Sequence, residues 1–314
     1  MILADAFDLV LAVAVLATAA WSIAVRATFT AIVAYIAYGL LVALVWVRLA
    51  AVDVALTEVA IGGGIVGVLL LGAAARLRHF KAEAAESPGA LQRLAAALFC
   101  AAIAGALAAA MLTLPEPAPT LAPAVAADLP AFGIGNPVTG VLLGYRAIDT
   151  LAETVVLLLA LIGVWSLAPD RSWGGSPPPL HSGRREDALV YLGRLLPPVG
   201  VVIGVYIVWV GADAPGGKFQ GGTILAAMWM LVMLAGLRDP PSVAHAGLRL
   251  VIMAGPATFL LVGLGGFAFA EGFLAYPAPY AKPLILLIEL VLTPSVALTL
   301  GLLLAGPPIR EARR

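Results

Sequence analysis

Long apolar runs separated by short polar segments are the dominant pattern along the chain. Each run is about 20 residues long, the length a helix needs to cross a bilayer core about 30 Å thick. The runs are continuous rather than alternating, which favours transmembrane helices over the strands of a membrane β-barrel. The sequence therefore predicts an all-α, polytopic membrane protein with nine spans, at roughly 5–25, 28–48, 52–75, 91–113, 137–167, 188–210, 220–237, 246–270 and 282–305.

Composition supports the membrane class. Of 314 residues, 62% are hydrophobic and 11% are charged, with a mean hydropathy of +1.04. Soluble proteins carry about 25% charged residues, so a soluble enzyme is excluded. Arginines and lysines concentrate between alternate spans, and the positive-inside rule then predicts an outer amino terminus and an inner carboxyl terminus. The exceptions are Arg48, Lys218 and Lys282.

Residues suited to covalent chemistry are scarce. The chain has one cysteine (Cys100) and three scattered histidines (His79, His181 and His245) without ligand spacing. Eighteen basic residues balance eighteen acidic ones, so no net charge attracts nucleic acid. We expect no catalytic site, no metal and no resident cofactor in this chain.

Charged residues inside apolar runs are the candidate functional residues, because a charge at the centre of a membrane helix costs about 2.5–3.5 kcal/mol on insertion scales. The third predicted span begins VDVALTEVAIGGG, with Asp53 near its start. Asp53 is either a helix cap or part of a site. Glu58 lies too deep for a cap, which favours a buried proton or ion site over a structural hydrogen bond.

The fifth predicted span carries Arg146, Asp149 and Glu153 at spacing i, i+3 and i+7, so one helix face presents all three. One interpretation is an internal ion pair whose third member finds a partner on another helix. The other is a proton or sodium relay, because two carboxylates with one arginine leave a titratable group. Both remain open.

The last predicted span buries Glu289 and is expected to be broken by Pro294. A lone intramembrane glutamate favours a functional or inter-subunit role.

A segment rich in proline and glycine, GADAPGGKFQGG, precedes the seventh span. It matches no nucleotide-binding pattern, and we expect a structural turn or re-entrant loop packed against other subunits. Lys218 within it is expected to extend to the membrane interface. The residues that predict the turn are Pro215, Gly216, Gly217, Gly221 and Gly222.

Two linkers divide the chain. Residues 114–131 are rich in proline and alanine and predict an extended outer loop. Residues 171–187 are rich in proline, glycine and arginine and predict an inner connector between modules. The sequence shows no convincing internal repeat, which disfavours a self-contained secondary transporter.

Three motifs carry a resemblance to known families. VDVALTEVAIGGG resembles the PDVALTEAAVGAG-type signature of the MbhD-like module. NPVTGVLLGYRAIDTLAETVVLL is similar to the N-V-V-N-x-I-L-x-D-x-R-x-x-D-T-x-G-E pattern of the MbhE-like module. GADAPGGKFQGGTILAAMWMLVML resembles the G-H-x-x-P-G-G-G-F-x-G-G motif of the B subunit of Mrp-type sodium/proton antiporters.

The resemblance implies a fused arrangement: an MbhD-like module at 1–90, an MbhE-like module at 91–170, the linker, and a B-subunit-like module at 188–314. It also implies a multi-pass subunit of the inner (cytoplasmic) membrane, assembled with antiporter-like large subunits. The complex would be an Mrp antiporter or a complex-I-like, redox-driven pump.

By the same resemblance, carboxylates of the first two modules line a path for Na⁺ or H⁺. The matching positions are Asp53, Glu58, Arg146, Asp149 and Glu153. Glu289 stands where the B-subunit module usually has an aspartate region. The alternative is a scaffold subunit whose buried charges are only paired.

Two other positions depart from the B-subunit motif. Ala212 replaces its histidine, and Lys218 replaces the third glycine of its PGGG. Together with Glu289, these departures favour a fused or redox-linked variant over a standard B subunit.

Overall fold

The computed structural model describes residues 2–77, 89–117, 119–180 and 187–309. Helices dominate, and no β-strand occurs in these ranges. The α-helices there are α1 (Ile2–Ala24), α2 (Thr28–Arg48), α3 (Val52–Thr57), α4 (Val66–Leu77), α5 (Ala90–Leu112), α6 (Ala122–Asp128), α7 (Pro137–Thr139), α8 (Ala147–Trp165), α9 (Asp187–Val210), α10 (Lys218–Leu234), α11 (Ala246–Phe269) and α12 (Ala281–Ala305). His79 and His181 lie outside the described residues.

Eight helices in the described ranges are long and apolar enough to cross a membrane. The third of them runs through α3, a π-helical turn at Glu58–Ile65 and α4. The seventh predicted span is present as α10, which has only 17 residues. The all-α, polytopic fold class is therefore confirmed.

Two predictions of local structure are wrong. The segment 114–131 is not simply extended, because it contains α6 and enters a 3₁₀ turn at Leu129–Phe132. The predicted span 137–167 is not one regular helix. It begins as a single turn (α7), continues as a π-helical turn at Gly140–Tyr145, and is interrupted at Arg146, whose φ is −127° and ψ is 37°. The preceding proline-rich sequence and Gly140 and Gly144 weaken a regular helix there.

Helix α12 forms the centre of the bundle, with α8, α9, α10 and α11 around it. Its inward face is apolar, as at Ile285, Ile288 and Leu292, which are completely buried. The helix continues through Pro294, so the predicted break is wrong. The Thr293 hydroxyl donates a hydrogen bond of 2.7 Å to the Glu289 carbonyl, one turn earlier.

The amino-terminal helices attach to this bundle through α10. Helices α1 and α2 pair side by side, and Arg48 forms a bidentate ion pair with Asp8 at 2.6 and 2.8 Å. Helix α2 packs against α3, the π-helical turn and α4, and α10 packs against α3 and the same π-helical turn. The two halves of the chain therefore meet along α3 and α10.

Helix α5 differs from all of these, because none of its residues is buried. Its surface includes exposed large apolar side chains such as Leu94, Leu98 and Phe99.

Candidate functional site

The loop between α9 and α10 descends into the bundle. Near its start, Asp213 accepts hydrogen bonds from Lys282, in the first turn of α12, at 2.8 and 2.9 Å. At its end, Lys218 faces Glu289, which lies two turns further along α12. At 1.5 Å per residue, two turns correspond to a descent of about 11 Å. This descent explains why α10 is shorter than a full membrane span.

Glycine makes this path of the backbone possible. Gly216 and Gly217 have φ values of +154° and +124°, which side chains rarely adopt. A Cβ on Gly216 would overlap the Ile207 carbonyl, and the Gly217 amide donates to that carbonyl at 3.1 Å. The loop therefore lies against the end of α9 without space for side chains.

The glycines at the start of α10 let neighbouring helices approach. A Cβ on Gly221 would lie 2.7 Å from the Gly204 carbonyl oxygen, and one on Gly222 would lie 3.2 Å from the Thr293 carbonyl oxygen. Together with the preceding loop, these contacts place the glycine-rich segment against helices of its own chain.

Asp53 connects this loop to α3. It is 7% exposed, and its carboxylate accepts hydrogen bonds from the Gly216 amide at 2.9 Å and from the Asn136 side chain at 3.4 Å. The Asn136 amide group also donates to the carbonyls of Gly211 and Ala214 at 3.1 and 3.0 Å. Asp53 thus accepts hydrogen bonds from two segments that are distant in sequence, rather than acting only as a helix cap.

Lys218 and Glu289 form a buried ion pair. Each is 2% exposed, and Lys218 Nζ lies 3.7 Å from Glu289 Oε1. The expectation that Lys218 extends to the membrane interface is wrong, because the descending loop carries it below the level of Lys282. The Glu289 carboxylate also lies at the amino terminus of α10, beside the backbone amide of Lys218.

A cavity of about 300 Å³ adjoins the pair. Its walls include Asp53, Glu153 and Gln220 in addition to Lys218 and Glu289. Among the described residues, Glu289 Oε2 is one of few buried side-chain oxygens without a hydrogen-bond partner. The cavity therefore combines a buried ammonium, three carboxylates and an acceptor oxygen that is free to take a proton.

The three charged residues of the fifth span separate into two environments. Arg146 and Asp149 form an ion pair of 2.5 Å, with side chains 71% and 44% exposed. Glu153 is also exposed, and it differs from the other two residues because it lines the cavity. The predicted ion pair between Arg146 and Asp149 is present. A partner for Glu153 on another helix and a relay through Glu153 both stay predictions.

Glu58 lies apart from the cavity walls, in the π-helical turn. Its carboxylate occupies the space beside Gly62, where a Cβ would overlap it, and Oε1 lies 3.5 Å from where a Cβ on Gly39 of α2 would be. Two glycines thus form a slot for a half-buried glutamate between α2 and the π-helical turn. Its role in a proton path stays a prediction.

Outside the spans, the pKa of Asp213 is lowered, chiefly by the hydrogen bond from Lys282 and further by the Gly135 amide. Asp213 and Lys282 are both partly exposed, so the pair lies at the entrance of the loop rather than in the buried site.

Comparison with known proteins assigns the two ends of the chain. A family model for MbhD, the D subunit of MBH, matches residues 3–79. A model described as a domain related to the MnhB subunit of Na⁺/H⁺ antiporter matches residues 188–306. The two ends of the chain are therefore similar to MbhD and to the MnhB-related domain, respectively.

Similar proteins are found in several organisms. An uncharacterized protein of Methanocaldococcus jannaschii is 29% identical over 171 residues, covering 46% of this chain and 65% of that protein. A chain of the Mrp complex from Dietzia sp. DQ12-45-1b has a TM-score of 0.74 at 23% identity. A chain of the membrane-bound sulfane sulfur reductase, an archaeal respiratory membrane complex, has a TM-score of 0.57 at 24% identity.

These structural similarities concern the fold. The match covers 97% of this chain but 35% of the Mrp chain, whereas it covers 68% of this chain and 96% of the sulfane sulfur reductase chain. This chain therefore spans about a third of the Mrp chain and just under two thirds of the Methanocaldococcus protein.

The cavity lies where the two matched regions meet. Asp53 belongs to the MbhD region, and Lys218 and Glu289 belong to the MnhB-related region. Glu153 comes from the segment between them.

Sequence reasoning missed Lys218, Asn136 and Gln220 as parts of this site. Gln220 donates to the Thr57 hydroxyl at 3.2 Å and so ties α10 to α3. A lysine between two pairs of glycines at a helix start was the available signal for Lys218, and Asn136 before Pro137 was the signal for a helix cap.

Proposed function

We propose that this chain is a membrane subunit of a multisubunit Mrp-type cation/proton antiporter or of a related complex-I-like, redox-driven pump. Its cavity contributes carboxylates to an ion path. The observation that carries this proposal is the buried Lys218–Glu289 pair beside a cavity that Asp53 and Glu153 also line. The matches to MbhD and to the MnhB-related domain support the class of complex.

The chemistry required of such a site is reversible proton exchange. In the charged form of the pair, the Glu289 carboxylate and the Lys218 ammonium attract each other, and protonation of the carboxylate removes this attraction. In the proposed path, Glu289 and Glu153 exchange protons across the cavity, with Asp53 at its end nearest the loop. Glu58 supplies a further carboxylate between α2 and the π-helical turn.

Other subunits complete the proposed complex. The antiporter-like large subunits would be separate chains, and any redox centre would belong to them or to other partners. We propose the inner (cytoplasmic) membrane as the location. The transported ion is H⁺ or Na⁺, and no cofactor resides in this chain.

A second role, as a scaffold, is favoured by one observation. Helix α5 presents apolar side chains on all sides, and none of its residues is buried. In this interpretation α5 docks a neighbouring subunit within the membrane, and the buried charges are merely paired.

Transport by the assembled complex distinguishes the two roles. Glu289→Gln, Glu153→Gln and Glu58→Gln each keep side-chain size and remove the charge. We expect at least a tenfold loss of proton movement per assembled complex in inverted membrane vesicles, monitored by a pH-sensitive dye. The amount of assembled complex should be unchanged in Glu153→Gln and Glu58→Gln. Asp149→Asn, in the exposed pair, is the matched control and should transport normally.

Normal transport by the three glutamine variants would contradict the ion-path role. Loss of assembled complex in Glu153→Gln and Glu58→Gln would favour the scaffold.

A further inference from the structure

Lys218 stands at a position where the B-subunit motif that the segment resembles has glycine. The surrounding glycines and the phenylalanine of that motif are retained in GGKFQGG. The structure places the added side chain inside the bundle, with Lys218 2% exposed. The substitution thus adds a positive charge to the site without otherwise changing the loop motif.

Charged groups from three other elements face Lys218. Glu289 of α12 is 3.7 Å away, and Glu153 of α8 lines the same cavity and attracts the ammonium. Asp53 of α3 also lines it but is engaged by the Gly216 amide. On its own helix, Phe219 places its ring centre 5.2 Å from Nζ, a cation–π contact. Lys218 is the cation on which these groups converge.

We propose that Lys218 takes the place of a mobile cation among these carboxylates, so that the cavity exchanges protons and does not bind Na⁺. The inference rests on the proposed ion path and specifies its ion. Lys218 then determines which ion the cavity accepts. Its ammonium is attached to the chain by a flexible stem and cannot be exchanged for Na⁺.

Electrostatics supports this assignment. A Na⁺ ion a few ångströms from an ammonium at an effective dielectric constant of about 20 is repelled enough to weaken its binding by about a thousandfold.

A proton, unlike Na⁺, can bind directly to a carboxylate oxygen of the buried pair. Glu289 Oε2 is buried and, among the described residues, accepts no hydrogen bond. A proton delivered by water to Oε2 forms a neutral carboxylic acid, and the Lys218 ammonium then shifts towards Glu153. Release of the same proton to water restores the Lys218–Glu289 pair.

The test compares the full-length wild-type chain, purified in detergent, with Lys218→Met. NaCl is exchanged for choline chloride at constant ionic strength, and the Tm is measured at each Na⁺ concentration. We expect the wild-type Tm to be independent of Na⁺. We expect Lys218→Met to gain a saturable, Na⁺-dependent rise in Tm that Lys218→Met/Glu289→Gln lacks. Arg146→Met, which frees the exposed Asp149 carboxylate, is the matched control and should show no saturable rise.

Two results would overturn the assignment: a saturable Na⁺-dependent rise in the wild-type Tm that Glu289→Gln abolishes, or a Lys218→Met chain whose Tm ignores Na⁺. If Lys218→Met does not fold, Lys218→Gly replaces it. The Na⁺ titration of the wild-type chain still decides whether the native cavity binds Na⁺. These results are separable from the proposed function, because transport can depend on Glu289 whether or not Na⁺ binds.

Discussion

Two ion pairs of this chain carry the same charges in opposite surroundings. Arg146 and Asp149 lie 2.5 Å apart on an exposed surface, whereas Lys218 and Glu289 lie 3.7 Å apart and are almost completely buried. Exposed pairs contribute about 0–1 kcal/mol, however short they are. A buried pair carries a large desolvation penalty, and removing one partner costs about 3–5 kcal/mol. Burial, rather than distance, therefore decides which pair matters.

A buried pair is weak evidence for stability, because apolar residues of similar volume often stabilise a fold equally well. Its retention next to a cavity lined by two further carboxylates is better explained by a functional requirement. Neither residue of the exposed pair lines this cavity, although Asp149 lies in the same helix as Glu153.

The largest expected effect comes from breaking the buried pair. Lys218→Met and Glu289→Gln should each lower the free energy of unfolding by up to about 3–5 kcal/mol. The double variant should lose clearly less than the sum, because neither charge is then left unpaired. Thermal unfolding of the purified chain in detergent measures the cycle. The double-mutant cycle of Arg146→Gln with Asp149→Asn should give a coupling free energy of at most about 1 kcal/mol. Equal coupling free energies in the two cycles would contradict the comparison.

A smaller effect is expected from the loop that holds the buried pair in place. Gly216→Ala puts a Cβ against the Ile207 carbonyl at a φ of +154° and should cost about 1–3 kcal/mol. Gly105→Ala is the control, because a Cβ there would meet nothing within 4 Å; it should be neutral or stabilising by about 0.5–1 kcal/mol. The Tm of each variant measures the difference, and equal Tm values would show that the loop geometry is not required.

The smallest effect concerns the partly exposed Asp213–Lys282 pair. Because the pKa of Asp213 is lowered in the folded chain, its contribution is present at neutral pH. It is lost as the pH falls below about 4, through the folded pKa. Asp213→Asn should therefore lower the Tm at pH 7 by an amount equivalent to at most about 1 kcal/mol, and the difference from wild type should shrink towards pH 3. A difference that persists at pH 3 would contradict this linkage.

The sequence predicted the helices better than their contacts. Apolar periodicity and length are local properties, so the ends of α2, α5 and α9 agree with the predicted spans within one residue. The interruption at Arg146 was missed because π-helical geometry has no comparable apolar signature.

The candidate site shows the same difference between residues that the sequence predicts and contacts that it does not. Asp53, Glu153 and Glu289 were selected because a charge in an apolar run is visible in the sequence. Which of them share a cavity depends on how α3, α8, α10 and α12 meet, and this is a tertiary property. Lys218 was misplaced because a lysine beside a predicted loop is usually assigned to the interface, while only the fold reveals the descent of that loop.

The π-helical turn at Glu58–Ile65 determines how the third span responds to deletions. A π-helical turn holds about one residue more than an α-helical turn, so deleting one residue there would restore a regular helix and leave the parts before and after it close to their present relative rotation. Deleting one residue from the regular helix α3 would instead rotate the residues before the deletion by about 100° relative to the rest. Asp53 would then turn away from the cavity that it lines, without any change in its identity. In this span, the place of a deletion determines its effect on the site.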